Sequence, residues 1–204
     1  MKPHPTRSIL LLTGVFAALP TLFGCGNPVI DVKVAALGGE VTGVDPSEFH
    51  RPGQPCLDCH GVYGGASPQM SIAGTIFATP IDKLPTPVEK VNVVITDSFG
   101  NKNGKGPTET PPERKTNCVG NFFFTRDEFD PGFPLEAKIE CPTKPGSVDT
   151  TGRYMSSRIS REGSCGACHQ GARDQGSPGW VFCVENPAAS PFKPPGSECQ
   201  GVPK

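Results

Sequence analysis

The sequence Cys-x-x-Cys-His occurs twice in this chain of 204 residues, as CLDCH at 56–60 and as CGACH at 165–169. A Cys-x-x-Cys pair has three common uses, which are zinc binding, thiol–disulfide exchange and covalent attachment of haem. Zinc sites usually draw their cysteines from shorter spacings than the roughly 105 residues between the two pairs. A thiol-exchange pair usually lies near a βαβ pattern, whereas the residues before Cys56 are typical of turns.

Haem attachment explains the histidine as well as the cysteines. Each cysteine sulfur adds across a haem vinyl group, and the histidine that follows supplies a nitrogen to the iron. The sequence therefore predicts two covalently attached c-type haems. Their thioether links are assigned to Cys56, Cys59, Cys165 and Cys168, and the proximal iron ligands to His60 and His169.

The ligand on the opposite face of each iron is less constrained. His50, Met70 and Met155 are the candidate distal ligands. Methionines also commonly fill gaps in hydrophobic cores, and a lone histidine is often only a surface residue. An iron without a strong distal ligand would bind small molecules, whereas an iron with two protein ligands would only transfer electrons.

The N-terminal segment has the pattern of a secretory signal. Lys2 and Arg7 precede a short apolar run at 9–19, which indicates a signal peptide over residues 1–24. The run is shorter than the about 20 apolar residues that a membrane-spanning helix needs, and no later stretch approaches that length.

The residues Leu22-Phe23-Gly24-Cys25 resemble the lipobox of bacterial lipoproteins. The resemblance implies cleavage before Cys25 and lipidation of its sulfur, and therefore an exported, membrane-anchored protein. An ordinary signal peptide with a chance cysteine is the alternative. Because Gly26 is not an aspartate, the resemblance favours the outer membrane, on its periplasmic or surface side, over the inner membrane.

Charge and composition limit the partners and the size of the core. Residues 1–24 hold two of the 19 basic and none of the 20 acidic residues, so their removal changes the formal charge from −1 to −3. This balance argues against nucleic acid and is compatible with a redox partner protein that has a basic patch. With 25 glycines and 24 prolines, the chain is expected to be rich in loops, and its oligomeric state stays open.

Four further cysteines are expected to form two disulfides, because thiols are not kept reduced outside the cytoplasm. Three pairings of Cys118, Cys141, Cys183 and Cys199 are open. Proximity in the sequence favours Cys118–Cys141 and Cys183–Cys199.

The region between the motifs is predicted to be β-structure. Apolar segments at 71–78, 88–97, 119–125 and 135–141 are bounded by Gly, Pro and Asn, and 152–158 is a further candidate strand. We predict a mainly β fold, a small antiparallel β-sandwich over 71–156. A linker and first haem segment at 25–70 and a second haem segment with a Pro-rich tail at 157–204 would flank it. Helices are expected to be short and confined to the motifs.

Two resemblances extend this interpretation. The segments IAGTIF, PVEKVNVVITDSFGNK and NCVGNFFFT resemble the prealbumin-like fold of carboxypeptidase regulatory domains, which implies a β-sandwich without catalytic residues. The order of lipobox, first motif, β-domain and second motif resembles dihaem c-type lipoproteins of an uncharacterised bacterial group.

These observations favour a membrane-anchored dihaem cytochrome that relays electrons and is not an enzyme. Two alternatives remain. One is a haem-based sensor or ligand-binding module, and the other is a dihaem peroxidase-type enzyme. Either would need one iron open to small molecules.

Overall fold

The fold is mainly β, as the sequence predicts. The computed structural model describes residues 27–79, 86–171, 176–184, 192 and 199. Within those residues, none of the helices is both long enough and apolar enough to cross a membrane. The elements in chain order are α1 (Pro28–Ala36), α2 (Cys56–His60), β1 (Met70–Phe77), β2 (Asn92–Thr96), β3 (Asn121–Thr125), β4 (Glu136–Pro142), β5 (Thr150–Tyr154), α3 (Cys165–Cys168) and β6 (Val181–Phe182).

The strands form two small sheets. One has the order β3-β1-β6, in which β1 pairs antiparallel with β3 and parallel with β6. The other has the order β2-β4-β5, with both pairings antiparallel. Strands β1 to β5 lie where the apolar segments predict them. The two-residue strand β6 was not predicted, because it is too short to show a periodic pattern.

Both sheets contribute to one hydrophobic core. Val91, Val93 and Ile95 are buried and alternate with half-buried residues, as the period-two pattern of this segment predicts. The other sheet contributes core residues from β1 and β3. The core cluster includes Ile72, Ile76, Val91, Val93, Ile95, Phe122, Phe124, Phe129, Leu135 and Ile139.

Strand β1 is the most enclosed element, because all eight of its residues are buried. It lies between β3 and β6 and is covered by chain on both faces. The core covers the face that carries Ile72 and Ile76. On the other face, Thr75 Oγ1 accepts a hydrogen bond from the Gly53 amide at 2.7 Å, so the segment before the first motif packs there.

Helix α1 corrects the expectation that helices occur only in the two motifs. Asn27 caps it, since the Asn27 side-chain oxygen accepts from the Val29 amide at 3.1 Å, and Pro28 occupies the first helical position. An Asn-Pro pair is a strong start signal for a helix, because the amide cap and the fixed φ of proline both favour it.

Two disulfides form among the four remaining cysteines, but the pairing inferred from sequence proximity, Cys118–Cys141 and Cys183–Cys199, is wrong. The structure links Cys118 to Cys199 and Cys141 to Cys183. Strand β6 runs parallel to β1, and the Cys183 amide donates to the Phe77 carbonyl at 2.9 Å. This return of the chain to the core brings Cys183 to β4, an arrangement that spacing along the chain does not reveal.

We expect the double substitution Cys141→Ser/Cys183→Ser to lower the free energy of unfolding by about 3–4 kcal/mol. The disulfide closes a loop with a sequence separation of 42, and the chain-entropy model gives values of this size for such loops. Chemical denaturation of the oxidised protein measures the change. Peptide mapping without reduction checks the pairing, and recovery of a linked Cys118–Cys141 peptide would contradict it.

Candidate functional site

The first Cys-x-x-Cys-His motif forms the single turn of helix α2. Pro55 precedes the turn, and the Gly61 amide closes it by donating to the Leu57 carbonyl at 2.9 Å. The His60 ring is buried, and its Nδ1 lies 3.0 Å from the carbonyl oxygen of Pro68. Because a carbonyl can only accept, Nδ1 carries the hydrogen and Nε2 keeps its lone pair.

The second motif repeats this arrangement. Its turn is helix α3, in which the His169 amide donates to the Cys165 carbonyl at 2.9 Å. His169 Nδ1 lies 2.7 Å from the carbonyl oxygen of Gly179. Both histidines therefore have one ring nitrogen fixed by a backbone carbonyl and the other available as a ligand.

Metal-ligating histidines almost always donate their other ring N–H to a partner such as a backbone carbonyl. Such a partner fixes the tautomer and the ring orientation and makes the free nitrogen a better donor. Sequence reasoning found both histidines but not Pro68 and Gly179, because a backbone carbonyl acceptor has no side-chain signature.

The two motifs pack against each other. A Cβ atom built on Gly166 in the second motif would overlap the carbonyl of Gln54 and lie 3.1 Å from the nitrogen of Pro55, just before the first motif. The backbone of the second motif therefore approaches the residues just before the first motif as closely as a glycine allows. The structure thus brings together two motifs that lie far apart in the sequence.

Strand β1 holds the second motif in place. The Ala73 amide donates to the Gly163 carbonyl at 3.0 Å, and a Cβ built on Gly74 would lie 2.7 Å from Cys165 Cβ. The second motif therefore packs against the middle of β1, the most enclosed strand. Its first cysteine is consequently packed against the hydrophobic core.

The thiols of Cys56, Cys59 and Cys165 are not set up for nucleophilic chemistry. Burial raises the pKa of Cys56 to about 11 and that of Cys165 to about 12, and it also raises the pKa of Cys59. Cys56 lies close enough that repulsion between the two thiolates contributes to the raised pKa of Cys165. Thiol–disulfide exchange needs a thiolate at neutral pH, so these pKa values disfavour the thioredoxin-type use of the pairs.

The donors also do not converge on a shared metal ion. Among the residues that the structure describes, no group of three or more His, Cys, Asp or Glu side chains is arranged to hold a metal. A tetrahedral zinc site needs four protein ligands in most structural cases. A haem iron takes four ligands from its own macrocycle, so it needs only one or two from the protein and does not depend on such a cluster.

A cavity of about 1260 Å³ opens beside the second motif. Its wall includes Cys165, Cys168, His169 and, from the end of β5, Met155. The volume exceeds the about 300–1000 Å³ of most ligand pockets, so it has room for a large planar cofactor. Met155, a predicted distal ligand, therefore shares a cavity with His169, a predicted proximal ligand.

The same cavity has polar and aromatic wall residues that sequence reasoning did not assign. Ser164 is buried, and its Oγ has no hydrogen-bond partner. The cation of Arg158 is paired with Glu136 at 2.8 Å, and Arg153 also lines the wall. Trp180 packs against Phe77 with ring centroids 5.5 Å apart, which makes it a wall residue rather than a free surface aromatic.

His50 lies next to His60, with ring centroids 5.8 Å apart and an angle of 25° between the ring planes. His50 Nδ1 accepts a hydrogen bond from the Ser47 amide at 3.0 Å, so the neutral ring carries its hydrogen on Nε2. Ligation through Nε2 would require the other tautomer and the loss of this bond. His50 is therefore close to His60 but is stacked on its ring and held in a non-ligating form.

Met70 lies in β1 and is buried. It contributes to a cavity of about 270 Å³ that also includes Leu57 and Asp58 of the first motif. This volume is below the range of ordinary ligand pockets. Core packing explains Met70 at least as well as ligation. Cys25, the predicted lipidation site, and the signal peptide at 1–24 lie outside the described residues.

Comparison with known proteins gives no further guide, since no family model, no curated protein and no solved structure matches this chain.

The contact between the motifs predicts that Gly166→Ala is destabilising. The added methyl group would meet backbone atoms of Gln54 and Pro55, which cannot move away as a flexible side chain can, so we expect a loss of about 1–3 kcal/mol. Chemical denaturation measures it. Gly39→Ala is the matched control, because nothing lies within 4 Å of the added atom, and it should change stability by less than about 0.5 kcal/mol. Equal effects of the two substitutions would contradict close packing of the motifs.

Proposed function

We propose that this protein is an exported dihaem c-type cytochrome, anchored to a membrane by lipid on Cys25, that relays electrons between redox partner proteins. The observation that carries the proposal is that both Cys-x-x-Cys-His turns hold their histidine in the same way. Nδ1 is fixed by the carbonyl of Pro68 in one motif and of Gly179 in the other, which leaves Nε2 as a ligand.

A bound haem would supply one-electron redox chemistry, and the chain would hold and tune it. Cys56 and Cys59 would form the thioether links of the first site, and Cys165 and Cys168 those of the second. His60 and His169 would be the proximal ligands. The buried position of His60 would keep water from the first iron, whereas the wider cavity beside His169 leaves the second site less enclosed.

Met155 is the distal ligand that we favour at the second site, since it lines the same cavity as His169. At the first site we favour His50, because its ring already lies 5.8 Å from that of His60. Ligation there would require His50 to release the Ser47 amide and change tautomer. Met70 is the weaker candidate, because the cavity it lines is small.

Electron transfer fits the site better than catalysis does. The walls beside the second motif carry Arg153, Arg158, several serines and Glu162, whose carboxylate already accepts a hydrogen bond from the Ser164 amide at 2.8 Å. The formal charge of −3 after removal of residues 1–24 would favour a brief encounter with a basic surface of a partner. We further propose that the two sheets form a prealbumin-like sandwich and that the protein is attached to the outer membrane.

The number and location of the haems test the proposal directly. We expect the exported protein, produced with c-type haem maturation, to have the mass of the chain plus two haems and to stay coloured after denaturation. Cys56→Ser/Cys59→Ser and Cys165→Ser/Cys168→Ser should each lose one haem, on different peptides. Cys118→Ser/Cys199→Ser is the control and should keep both. A colourless, unmodified wild-type chain would overturn the proposal.

Optical spectra of the reduced protein with and without carbon monoxide test the distal ligands. If both irons have two protein ligands, carbon monoxide leaves the wild-type spectrum unchanged. Met155→Ala should then open the second iron and allow carbon monoxide to bind at one haem per chain, while Met70→Ala should not. Binding to the wild-type protein would instead favour the sensor or peroxidase alternatives.

A further inference from the structure

Helix α1 exposes apolar residues that the rest of the described chain does not cover. None of its nine residues is buried, and Val29 and Val32 are 65% and 70% exposed. These side chains are three residues apart, so they lie on one face of the helix. The half-buried residues Ile30, Val34 and Leu37 form a second apolar stripe on the inner side.

The loop after the first motif extends this exposed surface. Val62 is 54% exposed and Tyr63 is 73% exposed. Both line the small cavity to which Ile30 of α1 also contributes. Val62 and Tyr63 therefore lie next to α1 and the first motif, and Val29, Val32, Val62 and Tyr63 together are called the α1 surface here.

The charged side chains of α1 do not indicate a binding site for a charged ligand. Asp31 and Lys33 balance each other, and Lys33 lies 3.6 Å from Asp58 of the first motif. A surface with valines and a tyrosine and no net charge fits an interface between water and lipid, where a tyrosine ring can bury its body and keep its hydroxyl wet.

The short linker between Cys25 and α1 limits how far apart they can be. Val29 follows Cys25 by four residues, so the two are at most about 14 Å apart even if the linker is fully extended. The polar zone on each side of a bilayer is about 5–8 Å thick. If Cys25 carries lipid, as the proposed function holds, α1 cannot lie far from the membrane surface.

We propose that the α1 surface lies on the bilayer in which the Cys25 lipid is embedded. The inference rests on the proposed lipid anchor and extends it, since a lipid anchor alone would not fix the orientation of the protein relative to the membrane. Contact through α1 fixes the orientation. Because α1 packs against α2, the first motif becomes the one nearer to the membrane.

Fluorescence quenching by lipids tests this orientation. The lipidated, haem-loaded protein is inserted into phosphatidylethanolamine/phosphatidylglycerol vesicles that contain acyl chains brominated near the headgroup. A bimane label is placed at Val62→Cys or, as control, at Val148→Cys, where the valine is 94% exposed on a different loop. We expect severalfold stronger quenching at position 62 than at position 148. Equal quenching at the two positions would overturn the proposal.

Substitution of the helix adds a second test with a matched control. Val29→Glu/Val32→Glu should abolish the excess quenching at position 62, whereas Val148→Glu should leave it unchanged. All these positions are exposed, so neither change disturbs the core. Flotation with vesicles should persist in every variant, because the lipid remains. Quenching that survives the double substitution contradicts docking through α1.

Two further outcomes separate the inference from its premise. Loss of flotation in Cys25→Ser confirms the anchor, whereas wild-type protein that does not float shows that the anchor itself is wrong. If a second copy of the chain covers the α1 surface instead, the unlipidated Cys25→Ser protein sediments as a dimer that Val29→Glu/Val32→Glu dissociates. That result would overturn membrane docking while leaving the electron-transfer proposal intact.

Discussion

The enclosure of strand β1 is the constraint on which the rest of the structure depends. All eight residues of this strand are buried, although it belongs to a sheet of only three strands. Such a strand must be covered on both faces, and the chain around the two motifs provides part of that cover. Gly53, before the first motif, donates to Thr75, and Cys165, in the second, packs at Gly74. The segments around the two motifs therefore pack directly on the β-core.

This arrangement explains why some features were predictable and others were not. The alternation of Val91, Val93 and Ile95 identifies a half-buried strand, because side chains of a strand point to opposite faces in turn. The Cys-x-x-Cys-His motifs are equally local, since one helical turn contains all their functional atoms. Asn27-Pro28 is likewise a local signal for the start of α1, but the weak apolar periodicity of the residues that follow did not indicate a helix.

The features that escaped prediction are non-local. Cys141 pairs with Cys183 because β6 returns to lie parallel to β1, and nothing in the spacing of the cysteines indicates that return. The acceptors of the histidine N–H groups, Pro68 and Gly179, are backbone carbonyls placed by loops. Likewise, position 166 needs a glycine because it contacts Gln54, which is distant in the sequence.

The two motifs pack on the same β-core, but their surroundings differ. His60 is buried, and Leu57 and Asp58 of its turn line a cavity of about 270 Å³, whereas His169 is half-buried and lines a cavity of about 1260 Å³. Burial and solvent access are among the main factors by which a protein sets a redox potential. If the chain carries the two proposed haems, these different surroundings would give them different potentials even with the same proximal ligand. Electron exchange between them would then favour reduction of the haem of higher potential.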